Sequence, residues 1–295
     1  MKAQGDLPRF VRDLLGSPPR RGGGLNFWFY RVARVLHPYR ESAEIIALLR
    51  AATAGELVKH GEIERAVERS KANAWQAGQP HVSVTPAWPK PDQEKRAAVI
   101  AASGGSGLVD LWEISPHRFE DNASHCEEVI DALFPDNPLL CAGCSNSNFA
   151  TRSRDEWRGK LTSLQFIVPN PMTARFGRTQ DGKRSAHTLE TTGQRRFLVI
   201  EQDSGSIDDQ AAILLHLAAH APLTIAVYSG VKSIHGWFFA EGQPEEKLHR
   251  FMSYAVSLGG DSATWTRSQF VRMPDGGRDN GKPQRIFFFN PDVFK

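Results

Sequence analysis

Apolar positions change their spacing along this chain. From Leu25 to about Trp75 they recur at helical intervals. "FWFYRVARVL" places its apolar residues on one stripe, and "ESAEIIALLRAA" opens with Ser42 as a candidate N-cap. "GEIERAVERSKANAW" is a third amphipathic stretch. Three such segments predict a small helical domain over 25–76. Residues 1–24 end in "GSPPRRGGG" and read as a flexible lead-in. "QAGQPHVSVTPAWPKPDQ" holds four prolines and little apolar periodicity, which predicts a linker over 77–96.

From about residue 97 the pattern shifts to short strand-like runs between helices. "RAAVIAA", "LVDLWEI" and "LQFIVPN" are strand candidates, and "CEEVIDALF" between them is a helix candidate. The second half is more regular. "RRFLVIEQD" predicts a strand, and "SIDDQAAILLHLAAHA" a helix opened by a Ser206-x-x-Asp209 capping box. "PLTIAVYSG" and "SIHGWFFA" predict two more strands. "PEEKLHRFMSYAVSLGG" predicts a helix with Pro244 in its first turn and Gly259 past its end, and "SQFVRM" a last strand. The order βαββαβ is that of ferredoxin-like units, with strands arranged 4-1-3-2. The fold class is therefore α+β.

That topology gathers polar residues at one rim of the sheet. Glu201 and Asp203 close the first strand and Ser229 the second; Lys232, Ser233 and His235 open the third. Asp261 precedes the fourth strand, and Arg272 lies on it. Residues two apart on a strand share a face. Two carboxylates side by side repel unless a cation stands between them, and hard oxygen ligands suit Mg²⁺ or Mn²⁺. Taken alone, Glu-x-Asp is a weak signal and reads as a pair of solvated strand-end acids. Gly230 permits a tight turn, beside which Lys232, Ser233, His235 and nearby N–H groups suit a triphosphate. His235 also alternates with Trp237 and Phe239, as a histidine packed in an aromatic core would. Acids for metal beside donors for phosphate is the layout of metal-assisted nucleotidyl transfer.

Composition narrows the partners only slightly. A net charge of +3 permits nucleic acid without singling it out. No apolar run is long enough for a bilayer and no secretory leader is evident, so a soluble, cytoplasmic protein without membrane partners is expected. Cys126, Cys141 and Cys144 are too few, and odd in number, for a disulfide framework. Cys141-x-x-Cys144 with His125-Cys126 offers zinc-ligand types, but without a second pair of regular spacing reduced thiols are the preferred reading.

"FLVIEQD", "YSGVKSIHGWFF" and "DSATWTRSQFVRMPDGGR" together resemble the three motifs of the archaeo-eukaryotic primase superfamily, in the primase-polymerases of phage and plasmid type. The resemblance covers about 97–295 and is strongest from 195 to 290. It implies an RNA-recognition-motif-like palm packed on a second α/β unit, preceded here by the small helical domain. It implies that Glu201, Asp203 and Asp261 are catalytic and hold metal. Ser229, Lys232, Ser233, His235 and Arg272 would bind the incoming nucleotide. Arg278, Lys282 and Arg285 are candidates for nucleic-acid phosphates, or a solvated basic loop. Expected partners are nucleoside triphosphates, a single-stranded DNA template and a replicative helicase. The first motif departs from the family in being Glu then Asp, and the helical domain in coming first. Two other classes fit the same residues: a catalytically inactive nucleic-acid-binding replication initiator, and a metal-dependent nuclease.

Overall fold

The computed structural model describes residues 7–16, 18–19, 25–74, 88–120, 123–179 and 182–294. The chain divides into two compact units, Met1–Ala87 and Trp88–Lys295. The first unit is helical: α1 (Arg9–Leu15), α2 (Leu25–Leu36), α3 (Ser42–Ala52) and α4 (Glu62–Ser70). Phe29, Val32, Leu36, Ile45, Leu49 and Val67 are buried together, as their helical spacing requires. Within the expected lead-in, α1 packs Val11 and Leu15 into the same core. Ser42 is the first residue of its helix rather than its cap. Of the expected linker, residues 77–87 lie outside the described residues, and its last four belong to a helix.

In the second unit the helices are α5 (Gln93–Ala102), α6 (Leu108–Glu113), α7 (Cys126–Leu133), α8 (Arg154–Trp157), α9 (Ile207–Ala218) and α10 (Glu245–Ser257). The strands are β1 (Leu139–Gly143), β2 (Phe149–Ser153), β3 (Phe166–Ile167), β4 (Gly177–Arg178), β5 (Arg184–Ser185), β6 (Phe197–Gln202), β7 (Leu223–Tyr228), β8 (Ile234–Phe239), β9 (Val271–Arg272) and β10 (Ile286–Phe289). They form antiparallel sheets in the orders β2-β1-β3-β9 and β10-β7-β8-β6, with β4-β5 as a separate hairpin. The class is α+β.

Alternation along β6 explains the layering. Leu198 and Ile200 point into a core shared with α9 and α10. Phe197 and Val199 point the other way, into a core shared with α7, β1, β3 and β9. The β10-β7-β8-β6 sheet, the larger of the two because its strands are longer, thus has helices on one face and the smaller β2-β1-β3-β9 sheet with α7 on the other. The predicted capping box of α9 is present, Ser206 accepting from the Asp209 N–H.

Three expectations are corrected. "RAAVIAA" and "LVDLWEI" are helical, within α5 and α6; only "LQFIVPN" of the three early candidates holds a strand. "SQFVRM" contributes β9, which pairs with β3 in the smaller sheet and not with β6. The fourth strand of the larger sheet is instead β10, from "IFFFN", paired with β7 at the opposite edge. The observed order is not 4-1-3-2. β6 is an edge strand, and Asn170 Oδ1 accepts from the N–H groups of Arg196 and Phe197 at its start. Among the described residues no helix is long and apolar enough to cross a membrane.

Candidate functional site

The core between the two sheets ends where polar residues replace apolar ones on the same strand faces. Glu201 continues the face of Phe197 and Val199, and His235 that of Trp237. The register places Glu201 opposite His235, and His235 opposite Val227. Asp261 reaches the same end without a strand: its N–H donates to the Glu201 carbonyl at 3.0 Å. Its carboxylate caps the following turn, accepting from the Ala263 N–H at 2.9 Å.

The turn between β7 and β8 is tied from within. The Ser229 N–H donates to the Ser233 carbonyl at 2.8 Å, and the Ser233 N–H to the Ser229 hydroxyl at 3.1 Å. Both serines are buried. Gly230 has φ +80°, and a Cβ there would stand 2.7 Å from the Pro283 carbonyl oxygen, so the turn and the 275–285 loop fit only around a glycine. Gln210 on α9 supports the turn from below. It donates to the Lys232 carbonyl at 2.8 Å and accepts from the Ile234 N–H at 3.0 Å.

Electrostatics join these groups. Burial, then the fields of Asp261 and Asp203, raise the Glu201 pKa above the carboxylate norm, while the Ser233 hydroxyl and Arg272 hold it down. Asp203 pairs with Lys232 at 2.7 Å, which raises the lysine pKa. His235 is 2% exposed. Its Nε2 lies 3.4 Å from the Ser233 hydroxyl and 3.6 Å from Glu201 Oε1, and its buried Nδ1 has no hydrogen-bond partner. Burial, with the fields of Arg272 and Arg278, lowers its pKa to about 3, so the ring is neutral. Arg272 arrives on β9. It lies 4.7 Å over the Phe166 ring and donates to Gln165 Oε1 at 3.3 Å. Burial and Arg278 lower its pKa, and Glu201 raises it.

Glu201, Asp203, Asp261, Ser229, Lys232, Ser233, His235 and Arg272 therefore share one rim. Arg278 borders it, donating to the Ser229 carbonyl at 2.8 Å. Lys282 and Arg285 do not join the acids. With Arg278 they line a separate cleft of about 380 Å³, whose wall also carries His125 and Asp275. Asp275 has φ +54°, and its Oδ2 accepts from the His125 N–H at 2.5 Å, tying this loop to the start of α7.

Among the described residues no group of three or more His, Cys, Asp or Glu side chains is placed to hold one metal ion. The donor chemistry nevertheless suits magnesium, which takes one or two carboxylates and fills its sphere with water and phosphate oxygens. The observation behind that fit is the donor set itself: Glu201 and Asp203 stand two residues apart at the end of β6, and Asp261 is tied to the Glu201 carbonyl. Glu201 and Asp203 are the residues that would hold it. The cysteines do not converge. Cys126 faces the core between the sheets, and Cys141 faces the opposite side of its own sheet. Burial pushes both thiols up, Cys141 to about 11.

Two positioning residues went unread in the sequence. Gln210 stands as a lone polar residue on the apolar face of its helix, a readable signal. Arg96, which donates to the Ser204 and Leu258 carbonyls, carries no such signal, because the pattern of "RAAVIAA" predicts a strand. No family model, curated protein or solved structure matches this chain.

Proposed function

We propose that the second unit is a nucleotidyltransferase of primase-polymerase type, joining nucleoside triphosphates on a nucleic-acid template and releasing pyrophosphate. The observation that carries this reading is the convergence, at one end of β6 and β8, of three carboxylates with a lysine, two serine hydroxyls, a histidine and an arginine. The motif resemblance supports it, with β9 displaced to the second sheet as a departure from the implied palm. A divalent ion bound at Glu201 and Asp203 would supply charge neutralisation at the phosphates and activate the attacking hydroxyl. Lys232 would leave Asp203 for a phosphate oxygen. On this reading Ser233 and neutral His235 would donate hydrogen bonds to the triphosphate, and Arg272 would offset its charge. Asp261 adds negative field at Glu201.

The test is incubation with a primed single-stranded template, labelled nucleotides and Mn²⁺. Extension by the wild type, abolished in Asp203→Asn with the fold retained, is expected. Full extension by Asp203→Asn sinks the assignment of the acids. One observation favours a second reading. Lys232 already neutralises Asp203, as in a nucleic-acid binder without catalysis. The same assay then shows strand binding with no extension, and shortening of the strand would mean a nuclease.

A further inference from the structure

The segment between β3 and β6 has chemistry that the rim does not use. It leaves the smaller sheet, forms the β4-β5 hairpin and returns to β6. Arg175, Phe176, Arg178, Lys183 and Arg184 are all exposed there. Arg178 stands directly opposite Arg184 in the hairpin register. Like charges facing across a strand pair repel, and an anion between them removes the repulsion. Arg175 is engaged by Glu156 through both of its terminal nitrogens. Arg178, Lys183 and Arg184 have no ion pair among the described residues. Phe176 is 48% exposed, and the Arg184 guanidinium lies 3.7 Å from its ring centre.

An exposed ring backed by a guanidinium and flanked by cations that have no ion pair among the described residues matches a single nucleic-acid strand. Bases stack on the ring whatever their identity, and phosphates meet the cations. The hairpin is also connected to the rim. His187, just beyond it, donates to the Ser268 carbonyl and lies 4.2 Å from the Phe270 ring. Phe270 neighbours Phe166 at 6.1 Å, and Phe166 lies under Arg272. Half-buried rings thus run from the hairpin to a residue within the field of Glu201.

We infer that the β4-β5 hairpin binds single-stranded nucleic acid, with a base on Phe176 and phosphates on Arg178, Lys183 and Arg184. The strand continues along the aromatic row toward the rim. The inference rests on the nucleotidyl-transfer reading only for calling that strand the template; binding itself needs no chemistry.

Fluorescence anisotropy of labelled oligothymidylate with the full chain tests it. Phe176→Ala is expected to weaken binding about five- to a hundredfold, the loss of one stacked base. Phe176→Trp, which keeps a stacking surface, is expected to retain affinity. The Arg178→Glu/Arg184→Glu double variant is expected to weaken binding and flatten its salt dependence. All these side chains are exposed, and melting curves check that the variants fold. Unchanged affinity in both Phe176→Ala and the double variant overturns the inference. So does duplex bound as tightly as the single strand with Phe176→Ala without effect. Hairpin-dependent binding with no extension activity leaves this inference standing and removes the catalytic one. Extension with hairpin-independent binding does the reverse.

Discussion

Arg96 offers a quantitative test of how the fold positions two acids at once. It lies on α5 and is 7% exposed. Its guanidinium donates to Gln202 Oε1 at 3.1 Å, to the Leu258 carbonyl at 2.7 Å and to the Ser204 carbonyl at 2.6 Å. These acceptors flank Asp203 on one side and lead into Asp261 on the other. Gly205 and Gly259 make room for it: both have positive φ, and a Cβ on either would stand 2.9 Å from a guanidinium nitrogen. Arg96→Met keeps most of the aliphatic volume and removes every donor. Three charge-assisted hydrogen bonds at about 1.5–3 kcal/mol each set an upper bound of about 4.5–9 kcal/mol. Removing a desolvated charge offsets several kcal/mol of that, leaving an expected loss of about 2–5 kcal/mol. In a unit of about 200 residues, each kcal/mol shifts the melting temperature by about 2–4 °C, so the expected fall is about 4–20 °C. Calorimetry reads that fall. A Mn²⁺ titration of the folded variant should show weaker binding, because the segments carrying Asp203 and Asp261 lose their common tie. Arg96→Lys keeps the charge but not the three-way fork, and should fall between. An Arg96→Met protein that melts with the wild type and binds Mn²⁺ equally would refute the reasoning.

Three further outcomes are expected. His235→Ala should weaken nucleotide binding by roughly ten- to more than a hundredfold, from about 1.5–3 kcal/mol at about 1.4 kcal/mol per decade; a lower melting temperature with nucleotide affinity unchanged would make His235 a core residue only. Metal analysis of the purified protein should find no stoichiometric zinc, since burial disfavours the Cys126 and Cys141 thiolates that zinc needs; zinc that is lost on Cys144→Ser would overturn this. Hydrogen bonds from Arg175 and from Ser153 lower the Glu156 pKa from 4.5 to about 2, so its contribution is present above about pH 4.5 and lost as pH falls toward 2. The melting-temperature gap between wild type and Glu156→Gln should therefore close over that window, and a gap independent of pH would show that the carboxylate charge is not responsible.

The parts of the fold legible in the sequence are those in which local pattern and final burial agree. The stripe through Phe29, Val32 and Leu36 is a helical stripe because those residues share one core. β6, β7 and β8 are apolar, partly β-branched runs with turn residues at their ends, and they are buried on both faces. The α9 capping box is written out in Ser206 and Asp209. By contrast, "RAAVIAA" and "LVDLWEI" are short apolar runs, and periodicity alone does not separate a buried strand from a short helix at that length. A start signal for α5 was present: the Asp92 carboxylate accepts from the Lys95 N–H. It lay inside a proline-rich stretch read as linker. The choice between "SQFVRM" and "IFFFN" as the fourth strand of the larger sheet depends on contacts remote in sequence, and no local pattern carries it.

The rim nevertheless forms by a route other than the one the pattern implied. Its centre depends only on the β6-β8-β7 register, which puts Glu201, His235 and Val227 in one row whatever lies beyond β6. Asp261 needs no strand beside β6, because one backbone hydrogen bond to the Glu201 carbonyl places it. Arg272 comes from the smaller sheet, where β3 and the Phe166 ring hold it. Glu201 and the arginine therefore belong to different sheets, and they meet where the core between those sheets gives way to polar groups. A change that loosens β3-β9 pairing should move Arg272 while leaving Glu201, Asp203 and Asp261 in place. A change at the Arg96 tie should do the opposite. The position of the arginine and the arrangement of the acids are, on this architecture, separable properties of one rim.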